Sequence, residues 1–138
     1  NRLEYRVGAF QGARDARSRG AFRYAGRVQY ELLESEGTGF FYAGTYLGGK
    51  SVVALAAAFD TQNDYHAYDA DVFVEYPSGP GAITAQAAFN RIDGGRTFAT
   101  LPRQNVAFLE AGCSWASVAG NGWGEDNQLR FAVTYSNC

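Results

Sequence analysis

Lysine is almost missing from this 138-residue chain: Lys50 is the only one, and the other eleven of its twelve cations are arginine. Methionine is absent, proline occurs three times, cysteine twice and histidine once. No window approaches about 18 uninterrupted apolar residues, which excludes a transmembrane helix. A membrane location stays open, because a β-barrel crosses with strands of ~9–11 residues whose apolar signal is halved by alternation. The lone His66, with no CxxC or HxxxH spacing, fits none of the usual metal-ligand sets, and no cofactor is expected. A net charge of −2 lacks the basic excess of a nucleic-acid binder, so no nucleic-acid partner is expected. The start Asn1-Arg2-Leu3 has no charged-then-apolar leader, which reads as a leader already removed or an excerpt of something longer.

What the chain has is ring and backbone freedom: nine Tyr, ten Phe and 17 Gly, with aromatics at 15%. Its length suits one domain spanning residues 1–138. The mixture of Tyr, Phe, Gly, Ala, Val and Thr suits half-apolar strands joined by turns. Arginine carries a rigid fork of donors, so its dominance points to ordered ion pairs or anion contacts.

Periodicity then sets the fold class. From Phe22 to Leu32 the even positions are Phe, Tyr, Gly, Val, Tyr and Leu, while the odd ones are Arg23, Ala25, Arg27, Gln29 and Glu31. Period-two alternation puts one face in an apolar medium and the other in water. A helix would scatter the aromatics, so a strand is expected. The same period runs through Arg2–Phe10, Asp69–Tyr76, Ile83–Asn90 and Gln128–Tyr135. Phe40–Leu47 and Val52–Phe59 are apolar on both faces with small residues along one, and Gln104–Gly112 carries Glu110 on its polar side. Turns are expected at Gln11–Gly20, Glu34–Gly37, Gly48–Lys50, Asp60–Asp64, Pro77–Gly81, Asp93–Arg103 and Gly120–Asp126. The expectation is an all-β, antiparallel up-and-down meander of about eight strands, either a β-barrel or part of a larger porin barrel.

Three patterns favour a membrane barrel over a soluble sandwich. Charges sit inside strands, as in Glu4 with Arg6, or Arg23 and Arg27 with Glu31, which suits a wet lumen. Aromatics gather near strand ends, as headgroup-level girdles do. Mid-strand apolar positions are often Ala, Val or Gly, which lipid tolerates and a soluble core would fill.

The segments NRLEYRVGAFQG, GRVQYELLESEGTGFFYAGTYLGGKSVVALAAAFD and DADVFVEYPSGPGAITAQAAFNRIDGG resemble phosphate-selective porins of Gram-negative outer membranes. The resemblance runs over roughly residues 1–112 and leaves out Cys113–Gly124 (CSWASVAGNGWG). It implies a bacterial outer-membrane location among lipid, a large and commonly trimeric antiparallel barrel, and passage of small anions such as phosphate.

Site expectations follow from alternation alone. Arg6, Arg23, Arg27 and Arg130 project from polar faces, and Arg23 and Arg27 share one face of one strand as steps for an anion. Asp69, Asp71, Glu75 and Glu110 form an opposing acidic wall, and together they set a field that favours small polar solutes. Pairing of these arginines with neighbouring glutamates stays an equal alternative. Cys113 and Cys138 can pair in an oxidising compartment or remain two free thiols. Enzymatic readings are poor. His66 sits in a loop-like stretch, the Asp69–Asp71 pair reads as surface or pore charge, and Gly112-Cys113-Ser114-Trp115 has no base placed for it. No catalytic residue and no enzyme activity are expected. The rival is a soluble β-barrel or sandwich that binds a ligand, such as a lectin-like module using Trp115, Trp123, Asn121 and Asp126.

Overall fold

The computed structural model describes residues 2–35, 46, 48–79, 81–115 and 127–137, with backbone alone for 115 and 127–130. These residues form one all-β sheet of seven strands in the order β1-β2-β3-β4-β5-β6-β7, each antiparallel to the next. The strands are β1 (Leu3–Phe10), β2 (Arg23–Glu31), β3 (Val52–Gln62), β4 (Tyr65–Ser78), β5 (Gly81–Asp93), β6 (Gln104–Trp115) and β7 (Asn127–Asn137). The up-and-down meander is therefore as expected. The sheet is open: β1 and β7 are its two edges. With an odd number of strands these edges run the same way, so they cannot pair antiparallel with each other.

Two local expectations are corrected, and a third lies almost wholly outside the described residues. The strand expected at Phe40–Leu47 falls almost wholly outside the described residues, and β2 pairs directly with β3 from Tyr24↔Thr61 to Glu31↔Ala54. The turn expected at Asp60–Asp64 shrinks to Asn63 and Asp64, because β3 continues to Gln62 and β4 begins at Tyr65. Asn63 takes the left-handed conformation (φ 54°), which Asn tolerates better than most residues, and this makes the tight hairpin feasible. His66 is consequently a strand residue opposite Thr61, whose Oγ1 lies 2.9 Å from its Nδ1.

Burial is inverted relative to a soluble sheet. On one face stand Leu3, Tyr5, Val7, Tyr24, Val28, Tyr30, Leu55, Phe59, Leu109, Phe131, Val133 and Tyr135, all exposed, with Tyr5 at 76% and Phe131 at 67%. On the other face Glu75 is 0% exposed, while Gln29 and Glu31 are also buried, as is Gln62 near one end. Connecting segments fold over this polar face at both ends. Gln62 accepts from Ala13 N at 3.0 Å and donates to the Ala13 and Ala21 carbonyls, which pins residues 11–22. Phe98, between β5 and β6, packs edge-on against Tyr65 at 4.9 Å. At the opposite end Glu75 accepts backbone N–H bonds from Tyr46 and Gly48 at 2.9 Å. Gly48 (φ 81°) is needed there, since a Cβ would come within 2.8 Å of the Gly81 carbonyl.

The apolar face has two aromatic levels. Phe59 and Tyr68 are register partners; Tyr24 stands in the row of His66, and Phe89 and Tyr135 in the row of Ala70. The level drifts one way across the sheet, as it does when strands tilt. Toward the other end stand Tyr30 and Tyr76. Tyr68 and Tyr76 are eight residues apart on β4, about 26 Å along the strand at ~3.3 Å per residue. Between the levels the sheet presents Ala57, Ala70, Val72, Ala85, Ala87 and Leu109.

Candidate functional site

The polar face holds the charges. Arg6 and Arg27 are direct register partners on β1 and β2, an unfavourable like-charge pair unless each is neutralised. Each is. Arg6 binds Glu4 at 2.5 and 2.8 Å along its own strand. Arg27 reaches past β3 to β4 and grips Asp71 with both terminal nitrogens, at 2.5 and 2.9 Å, with Asp69 at 3.5 Å. The reach is feasible because β3 puts only Ala56 and Ala58 on this face between them. Arg23 forms a two-pronged ion pair with Asp60 of β3, its guanidinium 5.5 Å from the Tyr65 ring centroid. Such fork-to-carboxylate pairs have the strongest geometry available to arginine.

Arg23 and Arg27 do share a face two pleats apart, as alternation requires. Their expected partner Glu31 is not the residue they use. Asp69 and Asp71 are expected as a wall across from the arginines, whereas they sit in direct contact with Arg27. Glu75 is buried under Tyr46 and Gly48, where it organises backbone instead of facing open space. Glu110 lies on β6 and accepts from Gln86 Nε2 at 3.2 Å, its register partner on β5. Arg130 of β7 pairs in register with Gly112, which places its backbone on the row of Thr84 and so on the polar side. An open depression of about 250 Å³ lies between Arg27, Asp69, Asp71, Phe73, Gln86 and Phe108.

On the strands of this face, Arg6, Arg23, Arg27 and Arg130 are outnumbered by Glu4, Glu31, Asp60, Asp69, Asp71, Glu75 and Glu110. Arg6, Arg23 and Arg27 are each already held by a carboxylate. Asp60 was hidden at sequence level by the turn-like DTQND run. Its parity with Ala54, Ala56 and Ala58 is the signal that assigns it to the polar face.

Of the two cysteines that could pair, only Cys113 is among the described residues. Cys113 is a free thiol on the apolar face, paired in register with Leu129. Cys138 itself lies outside the described residues. Trp123, Asn121 and Asp126 of the lectin-like alternative also lie outside the described residues. Among the described residues no group of three His, Cys, Asp or Glu could hold a metal, and no helix is long and apolar enough to cross a membrane.

No family model, curated protein or solved structure matches this chain.

Proposed function

We propose that this chain forms part of the wall of a porin-like outer-membrane β-barrel, with its apolar face toward lipid and its polar face lining a lumen for small polar solutes and anions. The inverted burial carries this reading. A soluble protein rarely exposes an apolar patch beyond a few hundred Å², yet here exposed apolar side chains stand on every strand from β1 to β7. The two aromatic levels, about 26 Å apart along β4, project to about 20 Å along the membrane normal when strands tilt by ~40°, somewhat less than the ~25 Å apolar band of such barrels.

Arg6, Arg23, Arg27 and Arg130 are the positions where a small anion such as phosphate meets the wall. Because carboxylates already hold the first three, each offers a weak and exchangeable contact, which suits conduction better than capture. Asp69, Asp71 and Glu110 add acidic steps that favour dipolar solutes. The open edges of β1 and β7 cannot face lipid unpaired. Neighbouring strands complete the wall, and a homo-oligomer, a trimer by the resemblance, is the expected assembly.

The test is direct. The chain is expected to need detergent or lipid to stay monodisperse, to migrate differently when boiled and unboiled, and to conduct in a planar bilayer. A chain that stays monodisperse in plain buffer would sink this reading in favour of a soluble ligand-binding module.

A further inference from the structure

We infer that the end of the sheet carrying residues 11–22 and 94–103 docks onto phosphate-bearing lipid headgroups through Arg14 and Arg91; this rests on the membrane reading above. Arg91 is an exposed cation on the apolar face of β5, in the register row of Tyr68 and two residues beyond Phe89. Phe22 stands two residues beyond Tyr24, and the Arg14 guanidinium lies 5.3 Å from its ring centroid. Arg91 therefore stands about two residues, or ~7 Å, beyond Phe89 along β5, and Arg14 lies against the ring of Phe22, two residues beyond Tyr24. That is where an arginine can lay its stem along apolar surface and keep its head among headgroups.

The local charge balance points the same way. Asp93 is held by Arg103 at 2.6 Å and Asp64 by Arg96 at 3.0 Å. Asp15 is exposed and accepts from the backbone amides of Arg17 and Ser18, so it offsets one of the cations at this end. Arg14, Arg17, Arg19 and Arg91 form no salt bridge among the described residues, so this end carries a cationic excess. At the other end the cations are Arg2, Lys50 and, in the register row of Glu75, Arg130, and Lys50 is committed to the Ser35 carbonyl and the Tyr46 ring. One end is thus dressed for anionic headgroups and the other is not.

The experiment compares insertion of the full chain into phosphatidylcholine vesicles with and without added phosphatidylglycerol. Insertion into neutral vesicles tests the membrane reading by itself; failure there removes both claims. Given insertion, phosphatidylglycerol is expected to strengthen association roughly tenfold or more, the scale for two arginines at an anionic surface. R91Q is expected to lose part of that gain and R14Q/R91Q most of it, with insertion into neutral vesicles unchanged. R91Q guards against misfolding, since Arg91 forms no salt bridge among the described residues, whereas Arg14 also bonds the Gly20 carbonyl. Inorganic phosphate at matched concentration is expected to leave the gain in place. An equal gain in wild type and R91Q/R14Q, or its abolition by free phosphate, would overturn the inference.

Discussion

The Arg27 guanidinium on β2 holds the Asp71 carboxylate on β4 through two hydrogen bonds of 2.5 and 2.9 Å, passing over β3 where Ala56 and Ala58 leave room. Three strands are thereby tied together on the polar face, and the charge of Arg27 is met within the sheet.

Loosening that commitment should change what the wall attracts. Asp71→Asn keeps one acceptor for Arg27 but removes the charge that occupies it. The expected outcome is a higher anion-to-cation permeability ratio, read as a shifted reversal potential in a salt gradient, at a stability cost of about 1–3 kcal/mol. Arg27→Gln should shift the ratio the other way and cost more, because Asp69 and Asp71 then repel each other on one face. Unchanged selectivity in both variants would remove Arg27 from the solute path.

The pattern of alternation made the strands and their two faces legible, and Arg6, Arg23 and Arg27 stand on the side it assigned. Partner choice was not legible. Arg23 selects Asp60 and Arg27 selects Asp71 because of cross-strand register, and register is a tertiary quantity set by turn lengths and matching faces. The Asn63–Asp64 hairpin illustrates the point: reading DTQND as a five-residue turn hides both Asp60 and the strand position of His66. Glu75 misleads for a different reason, since nothing in VFVEYPS announces that a segment twenty-odd residues upstream folds onto it.

That segment gives a second prediction. Glu75 is fully buried and accepts from the amides of Tyr46 and Gly48. Glu75→Ala leaves those donors without their carboxylate, at about 1–3 kcal/mol for buried groups that lose a charged partner. Tryptic cleavage after Lys50 is expected to accelerate in this variant while cleavage after Arg103 stays constant. If Lys50 is cut no faster, Glu75 is not what holds the segment.

Acid should act selectively on the other end. The Asp64 carboxylate is held well below its usual range, first by the Thr97 hydroxyl at 2.6 Å and then by Arg96. A carboxylate depressed in the folded state contributes stability at pH values above its unfolded pKa of ~3.9, and loses it as pH falls toward the folded value. The 94–103 segment is therefore expected to stay docked at about pH 4 and to open only in stronger acid. Pepsin cleavage at Phe98 or Leu101 measures this; Asp64→Asn should expose those sites already at the milder pH. Equal cleavage of both proteins across the range would show that the clasp contributes nothing.

The medium facing the apolar side can be tested by one buried-or-exposed argument. Leu109 is 57% exposed in the isolated sheet, in the register row of Ala87 and Val133, two residues inside the row of Phe89 and Tyr135 and four from the row of Tyr76. On a water-facing surface Leu109→Arg would be nearly neutral, within about 0.5 kcal/mol. At the middle of a lipid-facing wall it should cost about 2–4 kcal/mol, whereas Tyr76→Arg near the boundary should cost far less. Urea unfolding of vesicle-reconstituted protein measures both. A position-independent, near-zero penalty would mean that lipid does not cover this face, since only a bilayer grades the cost of a charge by depth.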